Sequence, residues 1–112
     1  MRIQIRLRRI EHAPAIIEYA TRRVHQHLSR FGRHLSNVTV RISDVNGPKG
    51  GPDKRCQLTV SGPRLGSVNL TETHADVGAG IDRALDRLAH VVGRSLDRAR
   101  GPRAASAAWR AT

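Results

Sequence analysis

The sequence predicts an α+β domain of order β-α-β-β-β-α, a four-stranded sheet with two helices packed on one face. Four short segments alternate apolar and polar residues, and two longer ones repeat their apolar residues at helical spacing. Turns containing glycine or proline separate most of them. A length of 112 residues suits one hydrophobic core and not two.

Ile3, Ile5 and Leu7 alternate with Arg2, Gln4, Arg6 and Arg8, the period of a strand with one buried face. From Pro14, the residues Ile16, Ile17, Ala20, Val24, Leu28 and Phe31 form one apolar stripe, and Gly32 is the stop signal of a first helix. Val38, Val40 and Ile42 mark the second strand, and Cys56, Leu58 and Val60 the third. The turn SGPRLG then leads to Val68 and Leu70 in the fourth. From about Ala75 to Arg98 a second helix buries Val77, Ile81, Leu85, Leu88, Val92 and Leu96. Its Gly78, Gly80 and Gly93 each weaken it by up to about 1 kcal/mol relative to alanine. Residues 1–100 are expected to form the domain; 101–112, GPRAASAAWRAT, lack periodicity and read as a disordered tail whose one anchor is Trp109.

Twenty basic residues against nine acidic give a net charge of +11. Eighteen of the twenty are arginine, whose planar fork matches phosphate at two points. A GC-rich genome would explain arginine over lysine but not the excess of positive charge. Nucleic acid or the ribosome is therefore the expected partner. Cys56 is the only cysteine, which excludes an internal disulfide and a cysteine zinc site and fits a reducing compartment. The opening MRIQIRLRRI lacks the continuous apolar stretch of a signal peptide, and no run is long enough to cross a membrane. A cytoplasmic location is expected.

On the second helix, Arg83, Arg87, His90, Arg94 and Arg98 fall within an arc of roughly 80°, nearly opposite the apolar stripe. Asp82, Asp86 and Asp97 lie along one edge of this ridge and are expected to form helix-surface pairs. On the first helix, Arg22, Arg23, Gln26 and Arg30 turn away from the core near Tyr19, with Arg33 just beyond. If the helices lie side by side, these outer faces merge into one basic surface. The open face of the sheet carries Arg2, Arg6, Arg41 and Arg55 among Gln, Thr and Asn, as a second RNA surface or, slightly favoured, a soluble exterior. Without an ordered aromatic platform for stacking bases, structured RNA read through phosphates and shape fits best.

The glycine-rich stretch DVNGPKGGPDKRC raises the question of a phosphate-binding loop. Neither lysine is followed by Ser or Thr, and the next element alternates like a strand rather than a helix. It reads as a hairpin connection, with Lys49, Lys54 and Arg55 as possible RNA contacts or simply a solvated tip.

No HxxxH or HExxH spacing occurs among the six histidines, so no metal site is expected. His27 reads as a core-edge residue, and Cys56, with inward strand parity, as a small buried hydrophobe. No catalytic residue, cofactor, small-molecule substrate or membrane partner is expected. Ribonuclease activity is the enzyme-class rival, because acid and base groups can be brought together by folding alone. A basic RNA-binding module acting away from the ribosome is the other.

EYATRRVHQHLSRFGRHLSNVTV, QLTVSG and HADVGAGIDRALDRLAHVVGRSLDR, in this order, resemble the family of hibernation-promoting factors and ribosome-associated inhibitors, also called sigma-54 modulation proteins. The resemblance implies a stress-response factor that binds the small ribosomal subunit in the messenger and transfer RNA channel and silences idle ribosomes. It also implies that Arg23, Arg33, Arg87, Arg94 and Arg98 stand where the family places basic residues. His90 replaces what is often a stronger base, Gln26 a frequent lysine and Gly78 a common aromatic. The long hairpin resembles a branch carrying DVNGxxGGxDKxC. The chain ends too soon for the C-terminal dimerisation domain of long members, so a short form is expected.

Overall fold

The structure, a computed structural model, describes residues 1–45 and 53–111, with side chains through Arg98. Strand β1 (Arg2–Arg8) is followed by helix α1 (Ala13–Leu28), a 3-10 segment (Ser29–His34), and strands β2 (Asn37–Asp44), β3 (Lys54–Gly62) and β4 (Gly66–His74). Helix α2 (Val77–Ala111) completes the expected order. The side chains of the expected tail, Trp109 among them, lie outside the described residues.

The sheet is mixed, in the order β1-β2-β3-β4. β1 runs parallel to β2, as a helical crossover through α1 permits, while β2, β3 and β4 form an antiparallel meander. The register sets apolar residues beside apolar residues: Ile5, Val40, Leu58 and Leu70 form one row across all four strands. A slip of one residue would turn every such side chain to the solvent, so the buried face fixes the pairing.

Both helices cover that face. Ala20, Val24 and Leu28 of α1 and Ile81, Leu85, Leu88 and Val92 of α2 are buried with the inward residues of β2 and β3. β1 has a strand on one side only, and Ile3, Ile5 and Leu7 are half-buried. Two expectations for the first helix need correction. Ile17, placed on the stripe, is 41% exposed on the flank of α1. The α-helix also stops at Leu28, before Phe31 and Gly32; the chain tightens into 3-10 turns and kinks at Gly32, whose φ of 51° suits glycine.

Local chemistry sets the other helix boundaries. Asp76 caps α2, its Oδ2 accepting the Ala79 N–H at 2.8 Å. Its own N–H donates to His74 Nδ1 at 3.0 Å, which ties the cap to the end of β4. Before α1 the chain turns through left-handed Arg9 and His12 (φ 59° and 60°), and Pro14 lies in the first turn, where its missing N–H costs no helical bond.

The end of the 3-10 segment lies against the end of β3: Ser36 N–H donates to the Ser61 carbonyl at 2.7 Å. A Cβ on Gly62 would sit 1.8 Å from the His34 carbonyl oxygen, so only glycine lets these backbones meet. Gly62→Ala is therefore expected to cost about 1–3 kcal/mol, as overpacking typically does, read as a lower urea midpoint at an unchanged slope.

Candidate nucleic-acid interface

The helices are clasped through one carboxylate. Asp82 of α2 accepts the Tyr19 hydroxyl, shared between its two oxygens at 2.7 and 2.9 Å, and Arg23 Nε at 2.8 Å. Arg23 Nη1 also donates to Gln26 at 2.6 Å. The Asp82 hydrogen bond, then burial and the Asp82 charge, raise the Tyr19 pKa against the opposing pull of Arg23 and Arg22. Arg23 is thus held at the joint between the helices. Asp82 pairs across to the other helix instead of with its own ridge.

Along α2, Arg87 leans toward the sheet and donates from Nη1 to Glu72 of β4 at 2.8 Å. Its side chain is still 60% exposed, so the pair is a weak tether at the surface. Arg83, His90, Arg94 and Arg98 are exposed and, among the described residues, make no ion pair with a carboxylate. His90 Nδ1 donates to the Asp86 carbonyl at 3.1 Å, because a carbonyl can only accept.

Arg22 and Arg33 are also exposed, and the Arg30 guanidinium lies 4.9 Å from the centre of the Phe31 ring. Arg64, from the turn between β3 and β4, joins this end of the molecule. It lines a hollow of about 260 Å³ with Arg30, Phe31 and His34 and an adjoining one with Arg33 and His34. Sequence reasoning missed Arg64, since its place beside the 3-10 segment follows from the close approach at Gly62.

The model of the family described as Sigma 54 modulation protein / S30EA ribosomal protein matches residues 3–100. The chain belongs to this family. Among solved structures it is similar to the Protein Y N-terminal domain of Thermus thermophilus, at 30% identity over 84% of this chain and 98% of that one, with a TM-score of 0.67. It is similar in fold to a ribosomal subunit interface protein from Coxiella burnetii, at 20% identity over 84% and 96% of the two chains, also with a TM-score of 0.67. No curated protein matches it.

In this S30EA-family chain the basic faces of the two helices do not fuse as expected. Asp82 occupies the seam between them, Asp86 follows one turn later, and Asp97 lines the same hollow as Arg30 and Phe31. The Asp82 carboxylate, paired with Arg23, therefore lies at the joint between the helices, and Asp97 faces the hollow that Arg30 lines. The loop candidates scatter as well. Lys54 is held by Asp53 at 3.0 Å and Asp44 at 3.4 Å, and the Asp53 hydrogen bond is the main cause that raises its pKa. Arg55 lies on the open face of the sheet, and Lys49 lies outside the described residues.

Cys56 is buried, as its parity predicts, and desolvation, aided by the charge of Glu72, pushes its thiol up to about 12. His27 is half-buried and donates from Nδ1 to the Arg23 carbonyl at 3.0 Å. Among the described residues no three His, Cys, Asp or Glu side chains are grouped to hold a metal ion.

Asp82→Ala removes two partners at once and is expected to cost about 1–2 kcal/mol, against about 0.5–1 kcal/mol for Arg23→Ala at this part-exposed site. Urea unfolding of both variants and their double mutant checks the order. Because the folded state raises the Tyr19 pKa, its contribution is complete below pH about 10 and is lost as pH rises through the folded value. Tyr19→Phe should flatten that alkaline loss.

Proposed function

We propose that this chain is a non-enzymatic, ribosome-associated RNA-binding factor that occupies the messenger and transfer RNA channel of the small subunit and holds translation off. Membership of the S30EA family supports the ribosome as partner, and the Coxiella relative is described as a ribosomal subunit interface protein. The observation that carries the reading is the α2 ridge. From Arg83 to Arg98 it runs about 22 Å at 1.5 Å per residue, and its outward groups are cationic or hydrogen-bonding.

Such a ridge follows a phosphate backbone without reading bases, and its affinity comes largely from released counterions. The α1 strip, with Arg22, Arg30 and Arg33, offers a parallel line of contacts across the joint between the helices. Arg87 contributes once Glu72 lets it go. No described helix is long and apolar enough to cross a membrane. The cytoplasm, where ribosomes are met, is the proposed location.

Replacing Arg83, Arg94 and Arg98 by alanine is expected to leave the urea midpoint near wild type. It should lower the slope of log K against log salt by about 0.7–0.9 per lost contact and abolish co-sedimentation with small subunits at moderate salt. Unchanged co-sedimentation would overturn the ridge as the binding surface. Equal affinity for free structured RNA and for subunits would place the activity away from the ribosome.

Glu72→Gln tests the tether on Arg87. Freed from its partner, Arg87 should add up to one contact, steepening the salt slope by about 0.7–0.9 in the same sedimentation series.

A further inference from the structure

The face of the sheet opposite the helices has a composition of its own. Strand parity turns Arg2, Arg6 and Arg8 of β1, Arg41 of β2 and Arg55 of β3 to that side, and all five are exposed. Every other outward position on the four strands is Ser, Thr, Asn or Gln, and none of the chain's nine acidic residues occupies one. The arginines are also adjacent. Arg6 pairs in register with Arg41, and Arg8 and Arg55 both flank Ser43. With strands about 4.8 Å apart, like charges set side by side repel, and a merely soluble exterior gains nothing from that arrangement.

These side chains line a shallow groove of about 290 Å³, bordered by Arg6, Arg8, Arg41, Ser43, Arg55 and Gln57. A phosphate entering it would meet several guanidinium forks and flanking amide and hydroxyl groups, with no carboxylate to repel it. Among the described residues the outward positions of the four strands hold no apolar side chain and no aromatic ring; Leu7 and Ile42 line only the groove, and one exposed apolar residue, Val45, follows the end of β2. Charge complementarity and the hydrogen-bonding surround favour the phosphodiester backbone of RNA.

We propose that the open face of the sheet, centred on Arg6, Arg41 and Arg55, is a second RNA-backbone site, separate from the α2 ridge, so that one domain holds two RNA segments on opposite sides. It extends the RNA-binding reading above but does not depend on which subunit surface the ridge meets.

The test uses the full chain with short RNA duplexes carrying either a donor or an acceptor dye. The wild type should bring two duplexes into one complex and give energy transfer. Arg6→Gln, Arg41→Gln and Arg55→Gln together should abolish transfer, leave one duplex bound and lower the salt slope by about 2–3. Lysine at the same positions should restore the slope. Saturation of the wild type at one duplex, an unchanged slope in the glutamine variant, or tighter binding to anionic vesicles than to RNA would each overturn the proposal. If the triple variant does not fold, Arg41→Gln alone should lower the slope by about 0.7–0.9, and no change would overturn it. Failure of the ridge is read separately, from subunit co-sedimentation of the Arg83, Arg94 and Arg98 variant, whose sheet is intact.

Discussion

A sheet covered on one face only imposes the division from which the rest of this molecule follows. Each strand must send alternate residues into the core and into water, and the inward rows admit charge only at their ends, where Asp44, Lys54 and Glu72 are ion-paired. The helices bury one stripe each against that layer. A chain with a net charge of +11 therefore puts most of its surplus on the outer faces of the helices and the open side of the sheet, with Arg9, Arg33 and Arg64 on the connections.

The few carboxylates then gain importance beyond their number. Asp82 joins α1 to α2, Glu72 ties α2 to β4, and Asp53 and Asp44 hold Lys54 where the hairpin begins. Each tethers one basic side chain to the fold. Arginines beyond the reach of these anchors are left with water and counterions, and they define the surfaces on which a polyanion can settle. An ion pair at such a surface contributes little stability, but it decides which cations remain free.

Much of this was legible in the sequence because it depends on periods. Alternation at Ile3, Ile5 and Leu7, or at Cys56, Leu58 and Val60, identifies a strand and its inward face together, and the α2 ridge follows from steps of 100°. What escaped depends on how elements meet. Nothing local shows that α1 yields to 3-10 turns at Ser29, because that change answers to packing against β3 and Gly62. Nothing local shows that Asp82 faces Tyr19 instead of its neighbours, or that Arg64 lines a hollow with Arg30. Lys54 looked like a loop-tip cation because Asp44 and Asp53, both visible in the sequence, had no known direction.

Cys56 carries a consequence for the lifetime of the folded chain. With burial holding the thiol up at about 12, Cys56 stays protonated at neutral pH, and its side chain is buried in the core beneath the helices. Peroxides and disulfides react with thiolates, so the sole cysteine is screened from them both chemically and sterically. In the folded chain the sole cysteine is therefore a packing residue, and a disulfide between copies would require Cys56 to leave the core first.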